Sequence, residues 1–146
     1  MVITFFGHSD FRECDNEKEK LYNIICEIVQ GKSVDFYLGN YGNFDGLAYE
    51  CAKRYKEKYK NSKLIFVTPY IYQGYRRLID AKNSFDEIIF PELEKTPLVY
   101  AIGKRNEWMI EKADFVVFYV NRSWGGAAKA LRYATKRKKK IINLAE

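Results

Sequence analysis

Apolar residues along this chain follow two patterns: short continuous runs, and longer stretches in which they recur every three or four positions. Continuous runs of four to six residues are typical of buried strands, whereas the recurring pattern is typical of helices with one apolar face. The runs predict six strands, at Val2–Phe6, Val34–Leu38, Leu64–Val67, Glu87–Phe90, Phe115–Val120 and Lys140–Leu144.

Four helices are predicted between these strands. They begin, in order, after Asp15 or Asn16 as a capping residue, after Asn43, at about Val99 and at Gly125-Gly126. Gly31 ends the first helix, and Lys112 ends the third. The segment from Tyr70 to Lys82 has no clear period and is predicted to be a loop with one helical turn.

Strands and helices therefore alternate along most of the chain. This order predicts a three-layer α/β domain, in which a mostly parallel sheet carries helices on both faces. No linker or shift in composition divides the chain, so residues 1–146 are expected to form a single domain. Ligands of such sheets bind beyond the carboxyl ends of the strands, which selects the loops after residues 6, 38, 67 and 120.

Composition excludes several classes of protein. The 146 residues are 47% apolar and 30% charged, with only three prolines, which excludes a disordered or collagen-like chain. The longest apolar run, Phe115–Val120, is far shorter than the roughly 18 residues of a membrane span. The N-terminus lacks the basic and long apolar segments of a secretory signal, so a cytoplasmic protein is expected.

The three cysteines, Cys14, Cys26 and Cys51, contain no Cys-x-x-Cys pair, and His8 is the single histidine. These are too few ligands for an ordinary zinc site, so no metal and no cofactor is expected. We interpret the cysteines as reduced thiols, with Cys26 and Cys51 on the apolar faces of helices. A cysteine nucleophile with His8 as its base is the alternative.

The formal charge of +6 is concentrated in one segment. Of the 25 Lys and Arg residues, seven lie between Lys129 and Lys140, and the other 18 nearly balance the 19 Asp and Glu residues. Cations at a helix C-terminus suit its dipole, so a solvated, well-capped helix is one interpretation. A weak contact to a nucleic-acid backbone through Lys129–Lys140 is the other.

Two of the selected loops contain glycine just before a helix. They are the segments 39–45 and 121–126, and glycine there lets backbone N–H groups approach an anion at the positive helix end. Neither segment is a P-loop, because the Gly-Lys-Ser/Thr end is missing. Together they indicate a ligand with two polar ends, although such glycines also serve simple turns.

The other two loops contain aromatic, basic and amide side chains. Segment 68–77 has three tyrosines, Gln73 and two arginines, which suit a base and a phosphate, or equally a packed surface loop. His8 follows the first strand, either as a functional residue or as a structural histidine.

Short motifs in these loops recur in a fixed order. They are Phe6-Gly7-His8, Gly42-x-x-Asp45-x-x-Ala48, Pro69-Tyr70-x-x-Gln73, Arg105-Asn106-x-x-Met109 before Ala113-Asp114, and Gly125-Gly126-Ala127 followed by Tyr133-Ala134. Across nearly the whole chain they resemble the SLOG superfamily (the SMF/DprA–LOG group), and within it the small stand-alone branch with an N-terminal Gly-His-Arg motif. The resemblance implies a single Rossmann-like domain.

The resemblance also implies a pocket for a nucleotide or nucleotide derivative at the strand ends. Relatives cleave nucleoside monophosphates at the N-glycosidic bond, bind single-stranded DNA, or bind nucleotide signals. The selected loops and the family motifs together indicate these ligand-binding residues: Gly7, His8, Ser9, Gly39, Asn40, Tyr41, Gly42, Asp45, Pro69, Tyr70, Gln73, Arg105, Asn106, Ser123, Trp124, Gly125, Gly126 and Ala127.

Three residues depart from the family pattern. Ser9 stands where the branch usually has Arg, and Ala127 stands where Thr is usual. The phosphoribohydrolase relatives also carry a Glu just after the Gly-Gly turn, and here Ala127, Ala128, Lys129 and Ala130 follow Gly126. The chain therefore lacks the carboxylate expected to catalyse that hydrolysis.

Three functions are consistent with these residues and with the resemblance. The first is binding of a nucleotide-derived small molecule, as a sensor or sequestering protein, with Arg105 and Asn106 on phosphate or ribose and Tyr70, Gln73 or Trp124 on a base. The second is an N-glycosidase, with His8, Asp45 or Glu50 as candidate catalytic residues. The third is single-stranded nucleic-acid binding, and a homo-oligomer is expected from the family.

Overall fold

The computed structural model describes residues 1–69, 84–93 and 95–146, and the loop predicted from Tyr70 to Lys82 lies outside these ranges. Six strands form one sheet in the order β4-β3-β2-β1-β5-β6, and every described pair is parallel. The strands are β1 (Val2–Gly7), β2 (Asp35–Leu38), β3 (Lys63–Val67), β4 (Glu87–Ile89), β5 (Phe115–Tyr119) and β6 (Lys140–Asn143).

In the described part of the chain, four helices cover the two faces of the sheet. They are α1 (Glu17–Val29), α2 (Asn43–Lys58), α3 (Leu98–Lys112) and α4 (Gly126–Lys136). Leu21 of α1 and Ala48 of α2 belong to one buried cluster, whereas Met109 of α3 and Ala134 of α4 belong to a second on the opposite face. This three-layer α/β architecture confirms the predicted fold class.

The start of α1 differs from the predicted cap. Asn16 adopts a left-handed conformation (φ 58°), and its side chain makes no capping hydrogen bond. The Glu13 carboxylate instead accepts a hydrogen bond from the Lys18 N–H at 2.7 Å, and the buried Glu17 carboxylate accepts one from the Asp15 N–H at 2.8 Å. Acidic side chains around the first turn thus replace an Asp or Asn cap.

The chain order positions the candidate ligand-binding edge. From β1 the strands are added outward to β4, and the chain then crosses back to place β5 on the other side of β1. Neighbouring loops consequently diverge where β1 and β5 end, leaving a crevice at that edge of the sheet.

Two further features bear on function. None of the helices described has both the length and the apolar character needed to cross a bilayer. The three cysteines are free, with Cys51 buried, Cys26 half-buried and Cys14 exposed, so the predicted positions of Cys26 and Cys51 on packed helix faces are confirmed.

Candidate functional site

A cleft of about 340 Å³ opens where β1, β2 and β5 end, between the loops that lead into α2 and α4. Most of the residues singled out in the sequence line it: Gly7, His8, Ser9, Gly39, Tyr41, Asp45, Arg105, Asn106, Trp124, Gly125, Gly126 and Ala127. Sequence reasoning missed four lining residues, which are Phe5, Phe6, Ile102 and Arg122. Of these, Arg122 carried a signal, because it lies in a loop already selected.

Several candidates lie elsewhere. Among the described residues, Asn40, Gly42, Pro69 and Ser123 belong to the selected loops but are not part of the lining. Glu50 is not brought to the cleft, because it lies on α2, where its carboxylate pairs with Lys18 of α1 at 2.7 Å. Tyr70 and Gln73 fall outside the described residues.

The N-terminus of α4 is open toward the cleft. Gly125 caps it with φ 96° and no side-chain hydrogen bond, and the first turn contains no acidic residue. Within the described part of the chain, the N–H groups of Gly126, Ala127 and Ala128 have no acceptor. Lys129 follows directly, adding a cation at the end of the helix where the dipole is already positive.

The N-terminus of α2, by contrast, is partly covered by the loop after β1. The Asn43 N–H donates to the Ser9 carbonyl at 2.9 Å, and the Asn43 side-chain amide donates to the Phe11 carbonyl at 3.1 Å. Gly42 is required here, since it has φ 92° and a Cβ would lie 2.7 Å from Ser9 Cα. The start of α2 thus has one N–H already satisfied and the acidic Asp45 in its first turn, whereas the start of α4 has neither and is better suited to an anion.

Arg122 lies over the start of α4. Its guanidinium carbon is 3.8 Å from the centre of the Trp124 ring, and its Nη1 is 3.1 Å from Oδ1 of Asp10. A Cβ on Gly125 would be 3.9 Å from Arg122 Nη2, so the cation is next to the helix cap. The Nε atom is buried and has no hydrogen-bond partner among the described residues.

Arg105 is buried, with 3% of its surface exposed, and it holds the ends of two strands. Its Nη1 donates to the Val67 carbonyl at 2.8 Å and to the Gly39 carbonyl at 3.3 Å, while Nε donates to Oδ1 of Asn106 at 2.9 Å. The guanidinium therefore braces two strand ends at the base of the cleft, and the phosphate or ribose contact expected from the sequence stays a prediction.

Asp45 is the carboxylate of the cleft. Its Oδ2 accepts a hydrogen bond from the Tyr41 N–H at 2.8 Å and would lie 3.0 Å from a Cβ on Gly39. Burial raises the pKa of Asp45 to about 6, against the opposing effects of Arg105 and of the Tyr41 hydrogen bond. This places a carboxyl group that titrates near neutral pH within the cleft.

His8 is 5% exposed and joins the loops after β1 and β5. Its Nε2 accepts a hydrogen bond from the Asn121 N–H at 3.2 Å, which fixes the proton of the neutral ring on Nδ1. Burial and the nearby Arg122 lower the pKa of His8, so the ring is neutral at pH 7.

The basic segment Lys129–Lys140 is partly used within the protein. Lys139 Nζ donates to the carbonyls of Glu111 and Ala113 at 3.0 and 3.1 Å, closing the C-terminus of α3. Arg137 pairs with the Glu111 carboxylate at 2.6 Å, and Arg132 donates to the Ser123 carbonyl. Lys139 thus caps a neighbouring helix, a variant of the capping role expected from the sequence.

A second groove, of about 420 Å³, runs between α3 and α4 and continues the cleft. The two share Ile102, Asn106 and Gly126, and the groove adds the apolar side chains of Val99, Ile110 and Tyr133 together with Lys129.

Across the described residues, no cluster of three or more His, Cys, Asp or Glu side chains is arranged to hold a metal ion.

No protein-family model and no curated protein matches this sequence. Solved structures do match its fold. DNA processing protein A from Helicobacter pylori, described for its single-stranded DNA binding mode, has a TM-score of 0.68 at 18% identity, over 98% of this chain and 64% of that one. DNA processing protein A from Streptococcus pneumoniae has a TM-score of 0.67 at 13% identity, over 97% of this chain and 49% of that one.

The molybdenum cofactor binding protein of the phototrophic bacterium Rippkaea orientalis has a TM-score of 0.58 at 16% identity, over 97% of this chain and 74% of that one. This chain thus spans about two thirds and one half of the two DNA processing proteins. All three are SLOG superfamily members, and at such identities the likeness is one of fold. The likeness shows that the chain has the Rossmann-like fold that was predicted.

Proposed function

We propose that this chain binds a phosphate-bearing small molecule, of the nucleotide class, in the cleft at the ends of β1, β2 and β5. The observation that carries the proposal is the open start of α4. There three N–H groups without acceptors among the described residues lie beside the Arg122 guanidinium. Unsatisfied N–H groups and the helix dipole favour a bound anion at such a position.

The charge around this helix start supports the same reading. Lys129 and Arg122 add two cations, and no acidic side chain lies in the first turn of α4. A phosphate at this position would therefore meet positive charge from both side chains as well as from the helix dipole.

The rest of the cleft suits the other parts of a nucleotide. Trp124 is 64% exposed and has Arg122 against its ring, so it offers a flat surface to a base. The Asp45 carboxylate and the Asn106 amide line the same cleft and suit sugar hydroxyls. The groove between α3 and α4 provides further space for a ligand larger than a nucleoside monophosphate.

The deciding experiment is a thermal-shift panel with two matched variants at residue 127. The panel contains nucleoside monophosphates, NAD, ADP-ribose, cyclic dinucleotides and the corresponding nucleosides. A ligand at about 100 times its dissociation constant stabilises the folded state by about 2.7 kcal/mol, a shift of several degrees. Shifts are expected with phosphorylated compounds and not with the nucleosides.

Ala127→Glu places a carboxylate at the helix start, where the anion would bind, and Ala127→Gln is its uncharged match. The Glu variant is expected to keep or raise its own thermal stability, because an acidic residue in the first turn is favourable by about 0.3–1 kcal/mol. It should lose the ligand-induced shift, whereas the Gln variant should retain most of it. Equal shifts for both variants, or no shift with any phosphorylated compound, would contradict the proposal.

Hydrolysis of a nucleotide at its N-glycosidic bond is a second candidate, favoured by the raised pKa of Asp45. A carboxyl group that titrates near neutral pH in a cleft is suited to proton transfer or to stabilising a sugar cation. This function predicts release of free base from a nucleotide and its loss in Asp45→Asn. Binding with no release over hours would leave the chain a binding protein.

Single-stranded nucleic-acid binding is a third candidate, since one structural neighbour is described for binding single-stranded DNA. The exposed Lys136 and Lys140 would supply the contacts. Affinity for an oligonucleotide should then fall steeply with salt and drop in a Lys136→Gln/Lys140→Gln variant. An affinity that the double variant leaves unchanged excludes this surface.

A further inference from the structure

One ion pair spans the mouth of the cleft. Asp10 belongs to the loop after β1 and Arg122 to the loop after β5, 112 positions apart in sequence. Arg122 Nη1 lies 3.1 Å from Oδ1 and 3.2 Å from Oδ2 of the Asp10 carboxylate. The Asp10 side chain is 69% exposed, whereas that of Arg122 is 24% exposed and packs on Trp124.

We infer that Asp10 is a specificity-determining residue, which competes with the ligand's anionic group for Arg122 and so discriminates against highly charged ligands. This inference rests on the proposed function, because it assigns the negative charge a role toward the anion that the cleft would bind. In the absence of ligand, the Asp10 carboxylate fills the place of an anion on one edge of the guanidinium.

Only part of the Arg122 guanidinium is available to a ligand. Asp10 occupies Nη1, whereas Nη2 is directed toward the Gly125 cap, and the buried Nε has no acceptor among the described residues. A phosphate at the start of α4 therefore shares the guanidinium with Asp10 or displaces it. In either case the ligand's charge is close to that of the carboxylate.

The expected effect grows with ligand charge. In water, the interaction between two unit charges about 5 Å apart changes an equilibrium constant by about fourfold. Removing the Asp10 charge should therefore strengthen binding by about fourfold for each negative charge on the ligand. The hydrogen bond from Arg122 lowers the pKa of Asp10, which keeps the carboxylate charged throughout the neutral range.

The test uses inorganic phosphate and pyrophosphate as probes, titrated by calorimetry into the wild-type protein, Asp10→Asn and Asp15→Asn. Asp15 is the matched control, since it lies in the same loop before α1 and pairs with Lys20 rather than with Arg122. Asp10→Asn should bind phosphate at least about fourfold more tightly, and the gain should be larger for pyrophosphate. Asp15→Asn should match the wild type.

A double variant separates the specific contact from a general change in charge. In an Arg122→Gln background, Asp10→Asn should change the affinity by less than about twofold, because the competition is gone. The same gain with and without Arg122, or no gain in the single variant, overturns the inference while leaving the proposed function in place. If neither the wild type nor Asp10→Asn binds either anion, both the proposed function and the inference fail.

Discussion

Gly7, the last residue of β1, lies directly against the ring of Phe44 at the start of α2. A Cβ at residue 7 would stand 2.2 Å from Phe44 Cγ, and the Phe44 side chain is fully buried. The carboxyl end of β1 and the first turn of α2 are thus in contact through a position that only glycine fits.

Gly7→Ala should lower the free energy of unfolding by about 2–3 kcal/mol, because the buried ring has no space into which to move. Urea denaturation measures the change. Gly46→Ala is the control within α2, since a Cβ there meets nothing within 4 Å. That variant should gain about 0.5–1 kcal/mol from higher helix propensity, so equal behaviour of the two variants contradicts this account.

Arg105→Ala should destabilise the protein by about 3 kcal/mol, because it leaves the buried carbonyls of Val67 and Gly39 without this donor. Chemical denaturation checks the value, with Lys104→Ala as an exposed neighbour on the same helix. A loss of unfolding free energy below about 1 kcal/mol would show that Arg105 is not mainly structural and would favour the ligand contact expected from its motif.

Asp45 should make stability depend on pH. Its pKa is raised to about 6 from an ordinary 3.8, so the folded state binds more protons than the unfolded state between these values. Stability from this group is therefore present at pH 4 and is lost as the pH rises through 6, by at most about 3 kcal/mol and by less for a half-buried carboxyl.

Asp45→Asn removes that titration and keeps an oxygen that accepts the Tyr41 N–H. The variant should be no more stable than the wild type at pH 4 and should become the more stable protein at pH 7. Urea midpoints at pH 4, 5.5 and 7 measure the difference, in which the titration of His8 largely cancels. Parallel pH profiles for the two proteins would show that Asp45 has an ordinary pKa.

Lys139→Met should cost about 1–2 kcal/mol of stability, because the ammonium group no longer closes the C-terminus of α3 at Glu111 and Ala113. Lys136→Met, an exposed position at the end of α4, is the control and should be nearly neutral. Equal thermal stabilities of the two variants would show that neither lysine makes a stabilising contact within the protein.

Much of this fold was predictable from the sequence because the sheet is parallel and covered on both faces. Strands such as Phe115–Tyr119 are then continuous apolar runs, which can be recognised in the sequence without knowing which strands they pair with. The loops at the carboxyl ends follow from strand order alone. Boundaries differed by a residue, as at β1, where Gly7 completes the strand that was predicted to end at Phe6.

The parts of the site that sequence reasoning missed depend on long-range contacts. For Arg105, nothing nearby in sequence shows that two of its partners are carbonyls 38 and 66 positions away. In the same way, Ser9 partly covers the start of α2, and Asp10 engages Arg122 of a distant loop. Every residue has a backbone carbonyl, so the sequence does not indicate which carbonyls accept hydrogen bonds from a buried arginine.

In the described sheet β6 pairs with β5 alone, so its other side is an edge. Edge strands expose backbone groups to which a strand of another chain can add, and clustered lysines oppose such pairing. Arg137, Lys138, Lys139 and Lys140 lead directly into β6. Arg137 and Lys139 are engaged by Glu111 and the end of α3, so it is Lys138 and Lys140 of two approaching molecules that would repel one another and oppose edge-to-edge pairing.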